Sequence, residues 1–269
     1  MSQADLAGID HWEDVYKSIG AVDSRPAGSC VPADYGSIVI AEALLTEIAR
    51  CGATKILEVG CGNSIWLPYV ARETGATVAG LDYSEAGCEL SRRQLAAEGI
   101  KGEIFCADLF QANAADIGRY DFVYSLGMVE HFTDTVEVLA RLLEFVRPGG
   151  MLFSEVPNLK SIHGILSWIW QPELLAKHYP LSKRDLMRAY GQLGLQKIRG
   201  QYAGVFSMDV VAWEHYPRWP RLVPLLRPYL SRIRTSVDYR LRKSGRLKGF
   251  APIAPYVYAV GQKPAPGHY

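Results

Sequence analysis

Short, largely apolar runs alternate along this chain with longer stretches in which apolar positions return every three or four residues. The runs at 55–59, 77–81, 103–106, 122–125, 151–156, 195–202 and 254–261 predict strands, since brief apolar segments bounded by turn residues suit strands covered on both faces. The stretches at 9–18, 36–50, 65–74, 85–98, 135–146 and 183–192 predict helices. Ser84 is placed to cap the start of the helix over 85–98 and Gly99 to stop it, while Pro148-Gly149-Gly150 is read as closing the helix that ends at 146. Strand and helix in alternation predict a doubly wound α/β domain that binds its ligand at the carboxyl ends of the strands. Residues 158–181 read as aromatic and irregular, and a long insertion, 205–250, precedes the last strand.

The first strand runs into Glu58-Val59-Gly60-Cys61-Gly62, and the second ends on Asp82. A Gly-x-Gly turn lets backbone approach a ligand, and a carboxylate about twenty residues on can accept hydrogen bonds from ribose hydroxyls. The turn alone also fits a dinucleotide site or an ordinary turn, and Asp82 and Ser84 also fit as helix caps. A dinucleotide fingerprint places a third glycine three positions after the second, but residue 65 is Ile. Glu58 would repel a pyrophosphate. A buried carboxylate there needs a cation or donors, and a ligand with ammonium and sulfonium charges would supply the cation.

Five segments in order resemble the class I S-adenosylmethionine-dependent methyltransferases, in their small-molecule, sugar and quinone branch. Glu58 to Gly62 resembles the family's first motif, and Gly80-Leu81-Asp82-Tyr83-Ser84 the acid that holds the ribose. Cys106-Ala107-Asp108-Leu109-Phe110 resembles the segment that holds adenine. Tyr120 to Phe132, with Ser125 in it, resembles the fourth strand and the loop beneath the methyl group, and Arg147 to Gly150 the turn into strand five. The match covers about residues 50 to 205. It implies a seven-stranded, mostly parallel Rossmann-like sheet whose last two strands pair antiparallel, and S-adenosylmethionine as cofactor. Glu58, Gly60, Gly62, Asp82, Tyr83, Asp108, Leu109 and Ser125 are then the cofactor-binding candidates. An N-terminal helix in this family often closes over the cofactor with a tyrosine, which makes Tyr16 a further candidate. Trp12 and Tyr16, four apart on one helix face, equally suit a pair anchoring that helix to the core.

Methyl transfer from an activated donor needs alignment, exclusion of water and, for a hydroxyl acceptor, a proton acceptor. Glu130, His131, Glu155, His163 and His178 are candidate bases, and His131, Glu155 and His178 are the acceptor-side choices. Glu130 and His131 also suit support of the next helix, and His178 a structural role. Quinone O-methyltransferases carry an acid two residues after the position of Ser125. Here that position is Gly127, so the ligand set is incomplete and no metal is expected.

The formal charge of +1 hides an asymmetry. Residues 218–248 hold ten Lys or Arg and one acid, Asp238, against 19 basic and 27 acidic residues elsewhere. Leu226, Leu230, Ile233 and Val237 fall at helical spacing within this segment. Prolines 220, 224 and 228 confine any single helix to its later part. An anionic membrane surface, a phosphate-bearing acceptor, a substrate lid or a homodimer contact would each use such a segment, and nucleic acid fits it less well. Five cysteines without paired spacing suit a reducing compartment, and no window approaches the length of a membrane span. The expectation is therefore a cytoplasmic protein, with a peripheral membrane association left open.

The domain expectation is a cap segment over 1–35, an α/β core over 36–204 and 251–263, and the insertion over 205–250. The functional expectation is O-methylation of a small-molecule or glycan-type acceptor. N-methylation, a catalytically silent cofactor-binding subunit and an NAD-dependent oxidoreductase are the alternatives.

Overall fold

The computed structural model describes residues 5–20, 30–211 and 223–265. Helix α1 (Ile9–Gly20) precedes α2 (Tyr35–Cys51). Then come β1 (Lys55–Val59), α3 (Trp66–Thr74), β2 (Thr77–Asp82), α4 (Glu85–Ala97), β3 (Gly102–Cys106), a short α5 (Ala114–Ile117) and β4 (Tyr120–Leu126). They are followed by α6 (Thr135–Glu144), β5 (Val146–Pro157), α7 (Ile162–Trp170), a short α8 (Pro172–Leu175) and α9 (Lys183–Gln192). Strand β6 (Gln196–Ala203), α10 (Val223–Ser244) and β7 (Tyr256–Gln262) complete the fold.

The strands form one seven-stranded sheet in the order β3-β2-β1-β4-β5-β7-β6. All pairings are parallel except those of β7, which runs antiparallel to both β5 and β6. Order reverses between β1 and β4, the switch point where an open α/β sheet leaves a crevice at its carboxyl edge. Successive side chains feed two cores. Leu57, Val59 and Val123 pack beneath α6 and α9, whereas Ile56, Phe122 and Tyr124 pack with residues of α2 and α3. Burial on both faces is why these strands read as apolar runs.

Ser84 caps α4 by accepting from the Gly87 N–H at 3.0 Å, as expected. Three readings are corrected. First, Pro148-Gly149-Gly150 does not end a helix: α6 stops at Glu144, and Val146 already pairs with Tyr120 in β5. Second, residues 158–181 are not irregular but contain α7 and α8. Ile162, Ile165, Leu166 and Ile169 of α7 fall at helical spacing, and Ser161 supplies its cap by accepting from the His163 N–H at 3.1 Å. Third, α10 begins at Val223 and takes in Pro224 and Pro228. Pro224 lies in the first turn, where the N–H has no helical partner anyway, so only Pro228 forgoes a helix bond. The loop prolines and glycines at 26 and 28, and residues 218–222, lie outside the described residues. No helix among the described residues is long and apolar enough to cross a membrane.

Candidate active site

The turn after β1 forms one half of the crevice. Gly60 (φ +78°) donates to the Leu81 carbonyl at 2.8 Å, which holds the turn against the end of β2. The Gly62 N–H donates to Asp82 Oδ2 at 2.8 Å, and the Ser84 N–H to Asp82 Oδ1 at 2.8 Å. Burial raises the Asp82 carboxyl to about 6, opposed by its backbone donors. Both Asp82 oxygens accept from the backbone, and an ionised carboxylate oxygen can accept two bonds. The acid thus suits a vicinal diol, and a ribose offers one. A side chain at Gly60 would crowd Met128, and one at Gly62 would overlap the Tyr16 hydroxyl, so both glycines are required by what approaches them.

Helix α1 closes this half. Tyr16 lies against Gly62 and Gly87, and its phenol is raised well above its usual range by burial and then by Asp82. Glu13 accepts from the Ser84 hydroxyl at 2.8 Å and from the Ala86 N–H at 3.3 Å, and the Tyr83 hydroxyl donates to Asp5. Trp12 stacks on Tyr16 with centroids 5.9 Å apart and meets the His131 ring edge-on at 5.2 Å. One short helix therefore touches both halves of the crevice.

Other cofactor candidates are engaged within the chain. Glu58 accepts from the Ser64 hydroxyl at 2.5 Å and the Tyr124 hydroxyl at 2.9 Å, and burial raises it to about 8. The donors that its burial demanded are thus residues of this protein, and they brace the turn. Asp108 accepts from the Phe110 N–H at 2.9 Å, and the neighbouring Leu109 is a core residue. The Ser125 hydroxyl donates to Ser154 at 3.3 Å, and Tyr190 donates to Ser154 in turn at 3.1 Å.

The other half forms where β4 ends. The Gly127 N–H donates to the Glu155 carbonyl at 3.0 Å, and a single 3-10 turn (Val129–His131) follows. The segment after α8 folds over that turn, with the Tyr179 N–H donating to the Glu130 carbonyl at 2.6 Å. His131 Nδ1 lies 2.9 Å from the Lys177 carbonyl and His178 Nδ1 2.7 Å from the Leu174 carbonyl. A carbonyl can only accept, so both rings carry their proton on Nδ1 and leave Nε2 as a base. The rings stand 4.6 Å apart, and burial holds both below the usual histidine range, so both are neutral. Glu130 Oε2 and Glu155 Oε1 are buried without a hydrogen-bond partner. Burial raises Glu130 to about 8 and Glu155 well above its ordinary range, the Glu130 charge adding to the latter.

The structure thus brings His131, His178 and Glu130 together, with ligand-type atoms within 4.8 Å of one another, a spacing that also suits a metal ion. Glu155 adjoins them through Glu130. His163 stays apart: it joins α7 to the loop at Ser207, whose N–H donates to its Nε2 at 3.2 Å. Asp5 and Glu13 were not foreseen, because single acids in a polar N-terminal segment carry no pattern.

The orphan carboxyls predict a pH dependence of stability. Glu130 is held near 8 in the fold against an ordinary 4.5. Its folded form favours the proton, so its contribution is fully present below about 4.5 and is lost as pH rises through about 8. Stability should fall by up to about 1.4 kcal/mol per pH unit across that window for this group alone. Denaturant unfolding at pH 5.5 and 7.5 checks it. Glu130→Gln should flatten the slope, and an unchanged slope would remove Glu130 as its source.

A sequence profile described as a methyltransferase domain matches residues 56–150. The chain is 34% identical over 131 residues to the ubiquinone biosynthesis O-methyltransferase of Vibrio parahaemolyticus, covering 49% of this chain and 55% of that one. It therefore spans little more than half the length of that relative. It is 27% identical over 191 residues to the protein of the same description from Thiobacillus denitrificans, covering 71% and 78%. Among solved structures, the plantazolicin methyltransferase BpumL in complex with SAH superposes with a TM-score of 0.56 at 17% identity, covering 94% of this chain and 90% of that one. An O-methyltransferase family protein from Burkholderia thailandensis superposes with a TM-score of 0.53 at 12% identity, covering 86% and 59%. At such low identity these two likenesses carry the fold alone.

Proposed function

We propose that this chain is a class I S-adenosylmethionine-dependent methyltransferase that methylates an oxygen of a small-molecule acceptor, a reading supported by the matched methyltransferase domain and by the O-methyltransferase relatives. The observation that carries this reading is the neutral His131, its Nδ1 fixed by the Lys177 carbonyl and its Nε2 left as a base beside the protonated Glu130. A hydroxyl acceptor must give up a proton as its carbon–oxygen bond forms, and such an imidazole can take it. The relatives named for ubiquinone biosynthesis support oxygen over nitrogen. A glycan-type hydroxyl would meet the same chemistry.

In this proposal Asp82 accepts from both ribose hydroxyls, and the Gly60–Gly62 turn admits the amino-acid end of the cofactor. Asp108 and Leu109 border the adenine, with Tyr83 near the ribose. Glu58 acts indirectly, bracing the turn through Ser64 and Tyr124. When bound, S-adenosylmethionine supplies a methyl group already activated on a sulfonium sulfur. Trp12 and Tyr16 exclude water between the two halves, His131 holds the acceptor's proton, and His178, Glu130 and Glu155 orient the acceptor. The catalytic unit is the core over 36–204 and 251–263, with 1–35 as its cap.

Labelled methyl transfer to a panel of phenols, catechols, sugars and amines tests this. Label on oxygen acceptors supports the reading, and label on amines alone would overturn it. A second reading rests on the grouping of Glu130, His131 and His178, which could hold a divalent ion. The favoured reading expects full activity after dialysis against EDTA. Complete loss, restored by a divalent cation, would favour the second.

A further inference from the structure

The insertion before β7 carries a surface that the methyl-transfer site does not use. Of the twelve large apolar side chains exposed among the described residues, eight lie in α7, α10 and the turn at Phe250. In α10 the inward positions are Leu230, Arg234, Val237, Asp238 and Leu241, all at least partly buried. The opposite face exposes Leu225, Tyr229, Ile233 and Tyr239, with Arg232, Arg240 and Lys243 among them. The helix is secured by its inner side. Asp238 accepts from the Tyr35 N–H, and Arg242 pairs with Asp238 at 2.9 Å and donates to the Ala33 carbonyl at 3.0 Å.

Leu230 packs with Leu166 and Trp170 of α7 around Val211, which brings the two helices together. Trp168 is 61% exposed and Phe250 59% exposed, and Pro252 beside Phe250 shares a hollow with Ile165 and Trp168. Leu166, Trp170 and Leu230 therefore join α7 to α10, and Pro252 links α7 to the turn at Phe250. The segment's one acid is already engaged by a backbone N–H and Arg242.

From this surface we infer that α10 and α7 dock the protein on an anionic membrane, α10 lying in the plane of the interface. Apolar and tyrosine side chains enter the headgroup boundary, and arginine and lysine reach the lipid phosphates along their flexible stems. The excess of positive charge selects an anionic surface, and apolar and basic side chains spread along several turns of one exposed helix face suit a plane better than a single small anion.

The test is co-sedimentation of the full chain with vesicles of phosphatidylcholine alone and with a third phosphatidylglycerol, at 50 and 300 mM salt. Two variants are compared with wild type: Arg232→Glu/Arg240→Glu/Lys243→Glu and Tyr229→Ser/Ile233→Ser. None of these residues borders the crevice, so unchanged binding of S-adenosylhomocysteine shows that each variant is folded. Wild type should bind the anionic vesicles at low salt and release at high salt. Each variant should bind them at least about tenfold more weakly. Absence of wild-type binding to anionic vesicles at low salt overturns the proposal. So does loss of a dimer in the same variants while vesicle binding is unchanged, which would assign the face to a second copy of the chain.

Discussion

Asp82→Asn should lower affinity for S-adenosylhomocysteine by at least about 100-fold while leaving the protein folded. The acid accepts one backbone N–H on each oxygen, from Gly62 and from Ser84. In the proposed complex, each oxygen also accepts one ribose hydroxyl. Hydrogen bonds to a charged group contribute about 1.5–3 kcal/mol each; the amide removes one acceptor and takes the charge from the other, which together weakens binding by about 3 kcal/mol. An amide also turns a donor toward one of the backbone N–H groups, which loosens the turn. The pH dependence adds an independent check. With its carboxyl raised to about 6, wild type should bind progressively less tightly below pH 6, since protonation removes acceptor capacity. The asparagine variant should show no such dependence. Calorimetric titration between pH 5 and 8 reads both effects. Affinity within threefold of wild type would reduce Asp82 to a strut between Gly62 and Ser84.

The donor half was legible because it is local. A strand, a Gly-x-Gly turn and the acid ending the next strand lie within the 28 residues from Lys55 to Asp82, and β1 runs from Lys55 to Val59 as its apolar run indicates. Its limits are equally physical. Glu58 reads as a carboxylate in search of a cation, but its donors Ser64 and Tyr124 are brought to it by a turn and by the adjacent strand β4. Ser125 fits the family's pattern, yet its hydroxyl joins a chain of hydrogen bonds through Ser154 to Tyr190 that only strand register and helix packing create. The acceptor half was legible as residue types but not as an assembly. His131 and His178 are 47 residues apart and meet because the segment after α8 returns over the 3-10 turn. Helix α7 was legible in principle, since Ile162, Ile165, Leu166 and Ile169 fall at helical spacing, but its nine residues are short and Trp168 and Trp170 blur that stripe.

His131→Ala should lower kcat by about 100- to 10,000-fold, the range expected for loss of a positioned proton acceptor, with little change in cofactor affinity. A neutral imidazole held below the usual histidine range is a weak base in its ground state. The acceptor hydroxyl becomes strongly acidic as its oxygen bonds to carbon, so a weak base in the right place is sufficient. Because His131 is unprotonated throughout, it should produce no inflection in the pH–rate profile between 6 and 8. The inflection should come from Glu130, raised to about 8. Its ionisation sets a carboxylate beside the acceptor oxygen, so acceptor KM should rise above pH 8, and Glu130→Gln should abolish that rise. A purely structural His131 would instead reduce cofactor binding through Trp12, whose ring it meets at 5.2 Å, and leave kcat within about fivefold. The separation of kcat from cofactor affinity therefore decides between a proton acceptor and a prop for α1.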